Sequence, residues 1–81
     1  HAETWNALAI AQAQAKQNRE AEATFRRALV LHPGHRGLWL GLAAVLVNAR
    51  RLKEALSTYD EVVARWSTFA AAHVGRALVL D

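Results

Sequence analysis

A repeat of 34 residues constrains this chain more than any other feature in it. Trp39-x-x-Leu42-Ala43, followed by Ala55-x-x-x-Tyr59, lies 34 positions after Trp5-x-x-Leu8-Ala9, followed by Ala21-x-x-x-Phe25, with no gap. Gly75 and Ala77 then repeat Gly41 and Ala43 at the start of a third copy. A single unit of this length cannot bury both of its faces, so copies must stack and share a continuous core.

Within each copy the apolar spacing predicts two helices. The first runs from about Ala2 to Ala15, with Trp5, Leu8 and Ala9 on one face, and Lys16-Gln17-Asn18 breaks the pattern. The second runs from about Arg19 to His32, with Ala21, Phe25, Ala28 and Leu29 aligned. Pro33-Gly34 stops it, because proline cannot continue a helix and glycine accepts the turn dihedrals. The third, from about Arg36 to Ala49, carries Leu38, Trp39, Leu42, Val45 and Leu46. After the turn at Arg50-Arg51, the fourth runs from about Leu52 to Trp66 with Ala55, Leu56, Tyr59, Val62 and Val63 in register. Ser67-Thr68 turns the chain again, and a fifth helix from about Phe69 runs to its end.

Helices of this length on turns this short must lie antiparallel to their neighbours. Ala9, Ala21, Ala43 and Ala55 are small where paired helices approach most closely. Trp5, Phe25, Trp39 and Tyr59 are large where the space beside that approach must be filled. Trp39, Leu42, Ala55 and Tyr59 are therefore expected among the most buried residues.

The quoted residues resemble the tetratricopeptide repeat, whose pattern over 34 residues is W-x2-L-G-x2-Y, then A-x3-F, then A, then P. Trp5, Leu8, Ala21, Phe25, Ala28 and Pro33 match it in the first copy, and Trp39, Leu42, Ala55 and Tyr59 in the second. Ala9 and Ala43 replace the glycine, Gln12 replaces an aromatic, and Ser67 replaces the proline. His73 and Arg76 stand where the second copy has Trp39 and Leu42. The resemblance implies an all-α, right-handed solenoid of five helices. It divides residues 1–81 into repeats of about 2–35 and 36–69 and a partial third of about 70–81. It also implies a non-catalytic interaction module whose first helices line a concave groove for a peptide or partner protein. The clamp of lysine, asparagine and arginine that some members use for acidic tails is missing, since Asn6, Ile10, Gly41, Ala71 and Gly75 occupy those places. The asparagine ladder of another subgroup is missing at Ala7, Gly41 and Gly75.

Candidate groove residues lie on the first helix of each copy, away from its tryptophan and leucine face. They are Asn6, Ile10, Ala13 and Gln14 in the first copy, Val74 and Leu78 in the third, and Leu40, Ala44, Val47 and Asn48 in the second. Gly37 and Gly41 stand beside them and are expected to leave bare backbone for a ligand chain. This row is apolar with amides at its edge, so the expected partner is an apolar or amphipathic segment. The alternative is that these small residues merely pack against the next helix.

Charge and reactive residues point the same way. The net charge is +3, but basic residues alternate with acidic ones, and Arg26-Arg27 becomes Asp60-Glu61 in the next copy. A stripe that tracks phosphates would keep its sign, which argues against nucleic acid. No cysteine is present, His32 and His35 have no carboxylate or thiolate beside them, and no metal or other cofactor is expected. No base is spaced to activate Ser57, and no phosphate loop or nucleophile elbow occurs, so no enzyme activity is expected. Two alternatives stay open: a regulatory or substrate-recruiting arm of a larger enzyme, and an RNA-contacting helical repeat. No apolar run approaches a membrane span, and no signal peptide is visible, which leaves cytoplasm and periplasm open. Absence of methionine implies a fragment of a longer protein. Ala77, Val79 and Leu80 would lie uncovered on the last helix, which favours a homodimer through that end.

Overall fold

The computed structural model of the chain describes residues 1–80; Asp81, the expected end of the last helix, lies outside them. Among the described residues all regular structure is helical: α1 (Ala2–Gln14), α2 (Asn18–Leu31), α3 (Arg36–Asn48), α4 (Leu52–Arg65) and α5 (Ala70–Leu80). Each helix packs chiefly on its neighbours in sequence, and α1 also packs on α3. This is an all-α solenoid: α1 pairs with α2, α3 pairs with α4, and α5 opens the next layer.

The alanines read as close-approach positions have no accessible surface: Ala9, Ala21, Ala43 and Ala55 are all at 0%. A methyl group there lets two helix backbones close on each other, and Phe25, Leu38, Val45, Leu46 and Val62 fill the space around them. No polar or charged residue among those described is buried. The core is therefore held by apolar burial, at about 25 cal/mol for each Å² removed from water.

Two expectations about the core need correction. Leu8 is 49% exposed although its repeat partner Leu42 is only 3% exposed. Leu42 is covered by α2, with Arg26, Leu29 and Val30 beside it, whereas among the described residues no helix precedes α1 to cover Leu8. Trp39 is half-buried rather than deep in the core. Its indole Nε1–H donates to the Pro33 carbonyl at 2.9 Å, and the Arg65 guanidinium lies 5.2 Å from its ring centroid. An indole packed into a core still needs a partner for its N–H, and here the Pro33 carbonyl supplies it. Trp39 thus joins α3 to the preceding turn while lending only part of its ring to the core.

That bond explains the departure at His73. His73 stands 34 positions after Trp39, and Ser67 stands 34 after Pro33. His73 Nε2 lies 2.6 Å from the Ser67 carbonyl, so the ring keeps the indole's role as N–H donor to the turn. Gln12, which replaces an aromatic, accepts from Thr24 Oγ1 at 2.6 Å and so ties α1 to α2 by a polar contact.

The turns repeat as well. Lys16 and Arg50 both adopt positive φ, 63° and 64°. The Gln17 N–H donates to the Gln12 carbonyl and the Lys16 N–H to the Ala13 carbonyl; Arg51 and Arg50 make the same pair of bonds to Leu46 and Val47. Both turns are Schellman stops built without glycine, at a cost of about 1 kcal/mol each for the left-handed residue. At the other kind of turn, His35 Nδ1 accepts from the Leu38 N–H at 3.3 Å and caps α3. His35 thus acts as a helix cap, and no cluster of three or more metal-ligating side chains forms among the described residues.

Candidate functional site

The face built by α1, α3 and α5 carries two neighbouring hollows. One, of about 320 Å³, is lined by Ile10, Ala13 and Gln14 of α1, Gly41, Ala44, Val45 and Asn48 of α3, and the ring of Phe25. The other, of about 430 Å³, is lined by Ala44, Val47 and Asn48 of α3, Leu52 and Tyr59 of α4, and Gly75, Leu78 and Val79 of α5. Moving seven residues of the first hollow forward by 34 positions gives seven residues of the second. Ile10 becomes Ala44, Ala13 becomes Val47, Gln14 becomes Asn48, Phe25 becomes Tyr59, and Gly41 becomes Gly75. The two hollows are one site built twice, sharing Ala44 and Asn48 as the ridge between them.

The floor of each hollow comes from the second helix of its pair. The Phe25 ring reaches across to the backbone of α3 at Gly41, and a Cβ added to Gly41 would collide with ring atoms Cε1 and Cζ. Tyr59 meets Gly75 on α5 in the same way. This corrects the expectation that Gly41 leaves bare backbone for a ligand: its open side is filled by the chain's own aromatic ring. Gly37 is likewise occupied, with the His35 ring 2.9 Å from where its Cβ would stand. Gly41 and Gly75 therefore act by seating the aromatic floors, a role that helical spacing alone does not reveal.

The remaining groove candidates divide. Asn6, Gly37, Leu40 and Val74 line neither hollow. Asn6 Oδ1 is buried without a hydrogen-bond partner, so Asn6 does not present its carbonyl at a groove edge. Leu40 is half-buried, and Val74 is exposed on α5. The residues that sequence reasoning missed are Phe25, Val45, Leu52, Tyr59, Gly75 and Val79. The first and fourth were read as core fillers, and both are buried; each presents only a small part of its ring to the hollow.

No charged side chain lines either hollow. Burial raises the Tyr59 phenol above its ordinary value, so the larger hollow keeps a neutral floor at physiological pH. Charge gathers elsewhere, between α2 and the start of α4. Glu22 accepts from Arg26 Nε at 2.8 Å and from Arg51 Nη1, and Arg51 also donates to Glu54. Burial pushes the Glu22 carboxyl up, but hydrogen bonds and charge from Arg26 and Arg51 outweigh it and hold the group below its ordinary range. Arg76 of α5 pairs with Asp60 of α4, which carries the ionic contact to the last helix.

The Glu22 network makes stability depend on pH with a definite sign. A carboxyl whose pKa is lower in the folded chain than in the unfolded one stabilises fully above the unfolded value, near 4.3. That contribution falls as pH drops through the unfolded and then the folded value, and is gone below both. Urea unfolding from about pH 6 to about pH 3 should therefore show a small loss, roughly 1 kcal/mol or less, from Glu22. Glu22→Gln should remove that part of the slope. A variant that kept the full slope would show that Glu22 is not linked to folding.

Comparison with known proteins agrees with this architecture. The family model described as tetratricopeptide repeat matches residues 6–70. No curated protein matches the chain.

Proposed function

Because the chain belongs to the tetratricopeptide-repeat family, whose repeats generally mediate contacts between proteins, we propose that it is a non-catalytic interaction module that holds an apolar segment of a protein partner in the groove lined by α1, α3 and α5. The observation that carries this reading is the pair of repeat-related, uncharged hollows on that face. A partner side chain entering either one meets Ile10, Ala44, Val47 or Leu78 on the walls and an aromatic ring below. Exposed amides of Gln14 and Asn48 stand at the rim. Burying one medium apolar side chain in each hollow contributes about 1.5–3 kcal/mol apiece.

A protein partner is favoured over RNA by the mixed sign of the surface charge, since Arg26-Arg27 becomes Asp60-Glu61 in the next copy and four of the ten basic side chains are held in ion pairs. Arg26, Arg51, Arg65 and Arg76 are each paired with a carboxylate of the chain itself. Tracking a phosphate backbone would need those cations unpaired and in a stripe. Ala77 and Leu80 are exposed on α5 and support self-association as a second protein contact, whereas Val79, expected to lie uncovered with them, is half-buried against the core and lines the larger hollow. No described helix is long and apolar enough to cross a membrane.

The test is a selection. Peptides that bind the folded chain are drawn from a random display library and titrated against isotope-labelled protein. Shifts centred on the methyl groups of Ile10, Ala44, Val47 and Leu78 are expected. Shifts centred on Val30 and Ser57, on the opposite helices, would replace this groove with the α2 and α4 face.

A further inference from the structure

The two hollows share a register but differ at the floor. Phe25 and Tyr59 hold the same place in successive copies, and each stands its ring tip against a glycine of the following helix. The smaller hollow therefore rests on hydrocarbon alone. The larger one rests on a phenol, whose Oη lies 2.7 Å from where a Cβ of Gly75 would stand. Gly75 and Tyr59 both line that hollow.

A phenol this deep in a fold ordinarily finds a partner for its O–H. Tyr59 is only 8% exposed, yet among the described residues its hydroxyl enters no hydrogen bond. The hydroxyls of Thr24 and Thr58, by contrast, donate to the Glu20 and Glu54 carbonyls. Asn6 Oδ1 is the one fully buried side-chain polar atom left without a partner among the described residues. The Tyr59 hydroxyl is therefore not sealed in the core, and the surface it keeps opens on the hollow that its ring lines. Burial keeps the phenol protonated at physiological pH, so it stands there as a donor. Its partner must come from whatever fills the hollow.

The rest of the lining narrows the chemistry of that partner. Ala44, Val47, Leu52, Leu78 and Val79 make apolar walls, and the one other polar side chain is Asn48, exposed at the rim. Neither a cation nor a carboxylate lines the hollow. A charged tip would be desolvated there without a counter-ion. A wholly apolar tip would suit the walls but cover the phenol and leave its O–H unpaired, which costs more than the bond itself contributes. A side chain with a short apolar stem and a primary amide at its tip meets both conditions. Its C=O accepts from the Tyr59 O–H at the floor, and its N–H groups face the open side, where Asn48 offers an acceptor. The smaller hollow has no donor at its floor, so its occupant needs only apolar atoms. We infer that Tyr59 is a specificity-determining residue: the larger hollow takes a glutamine side chain of the partner segment, and the smaller hollow an aliphatic one. This inference rests on the groove reading above and deepens it.

Parallel display selections test this. One random peptide library is selected against the parent chain, Tyr59→Phe and Phe25→Tyr, and the bound pools are sequenced. Phenylalanine already stands at the equivalent place in the first copy, so Tyr59→Phe keeps the packing on the next helix. The parent pool should carry glutamine at one position and an aliphatic residue at another. In the best parent-selected peptide, exchanging that glutamine for methionine, of similar length, should weaken binding to the parent about fivefold by calorimetric titration. The same exchange should leave affinity for Tyr59→Phe unchanged or raise it. Phe25→Tyr, which leaves Tyr59 in place, should acquire a second glutamine preference at the aliphatic position. A methionine exchange that costs as much on Tyr59→Phe as on the parent, or a parent pool without an amide position, would overturn the inference. Methyl shifts at Ile10, Ala44, Val47 and Leu78 in those complexes would leave the groove reading standing. Shifts centred on Val30 and Ser57, or a library that yields no binder to the parent chain, would overturn both.

Discussion

Phe25→Ala should destabilise the chain by about 3–5 kcal/mol, measured by chemical unfolding. A small domain has roughly 5–15 kcal/mol in total, so this single change removes a large share. The Phe25 side chain is 1% exposed and rests on the backbone of α3 at Gly41. Its removal leaves a void between α2 and α3 that rigid helix backbones cannot close. A second change gives this prediction a sharper form. In the parent chain Gly41→Ala should destabilise by about 1–3 kcal/mol, because the new methyl group meets the Phe25 ring. In the Phe25→Ala chain the same substitution should stabilise, since the ring is gone and alanine is about 1 kcal/mol better than glycine inside a helix. A reversal of sign is expected from direct contact between the two residues. Additive effects would mean that the ring does not sit on Gly41.

That pair also shows where sequence reasoning stops. Ala9, Ala21, Ala43 and Ala55 were legible as close contacts, because small residues at the same place in two copies have one physical explanation. The helices were legible from spacing, and the stop at Pro33-Gly34 from its chemistry. The stops at Lys16 and Arg50 were legible only as breaks in the apolar pattern, since the left-handed residue there is basic rather than glycine. Trp39 carries a core signature, yet its N–H draws it to the Pro33 carbonyl and leaves it half-buried. His73 breaks the repeat's tryptophan signature, yet its ring meets the Ser67 carbonyl as the Trp39 indole meets that of Pro33, which only the folded turn shows.

The proposed groove was legible as a row on one helix face, and Ile10, Ala13, Gln14, Ala44, Val47, Asn48 and Leu78 do line the hollows. Its floor was not. Phe25 and Tyr59 lie on other helices, and only packing brings their rings through to this face. Leu40 shares a stripe with Ala44 on a helical wheel, but a wheel does not show that it lies outside both hollows.

The second large effect concerns binding. Ala44 is exposed and belongs to both hollows. Ala44→Glu sets a carboxylate on the ridge that a partner must cover. The free chain keeps that charge in water, so folding stability should change by no more than about 0.5 kcal/mol. The bound state must desolvate it against an uncharged lining. The cost should reach roughly 2 kcal/mol or more, about thirtyfold in Kd. Ser57, exposed on α4 and lining neither hollow, supplies the matched control.

The most direct measurement is the affinity of one display-selected peptide for the parent chain, for Ala44→Glu and for Ser57→Glu, by calorimetric titration. The groove account predicts a loss of about thirtyfold or more for Ala44→Glu and an unchanged Kd for Ser57→Glu. Retained affinity in Ala44→Glu together with a loss in Ser57→Glu would contradict it and place binding on α2 and α4.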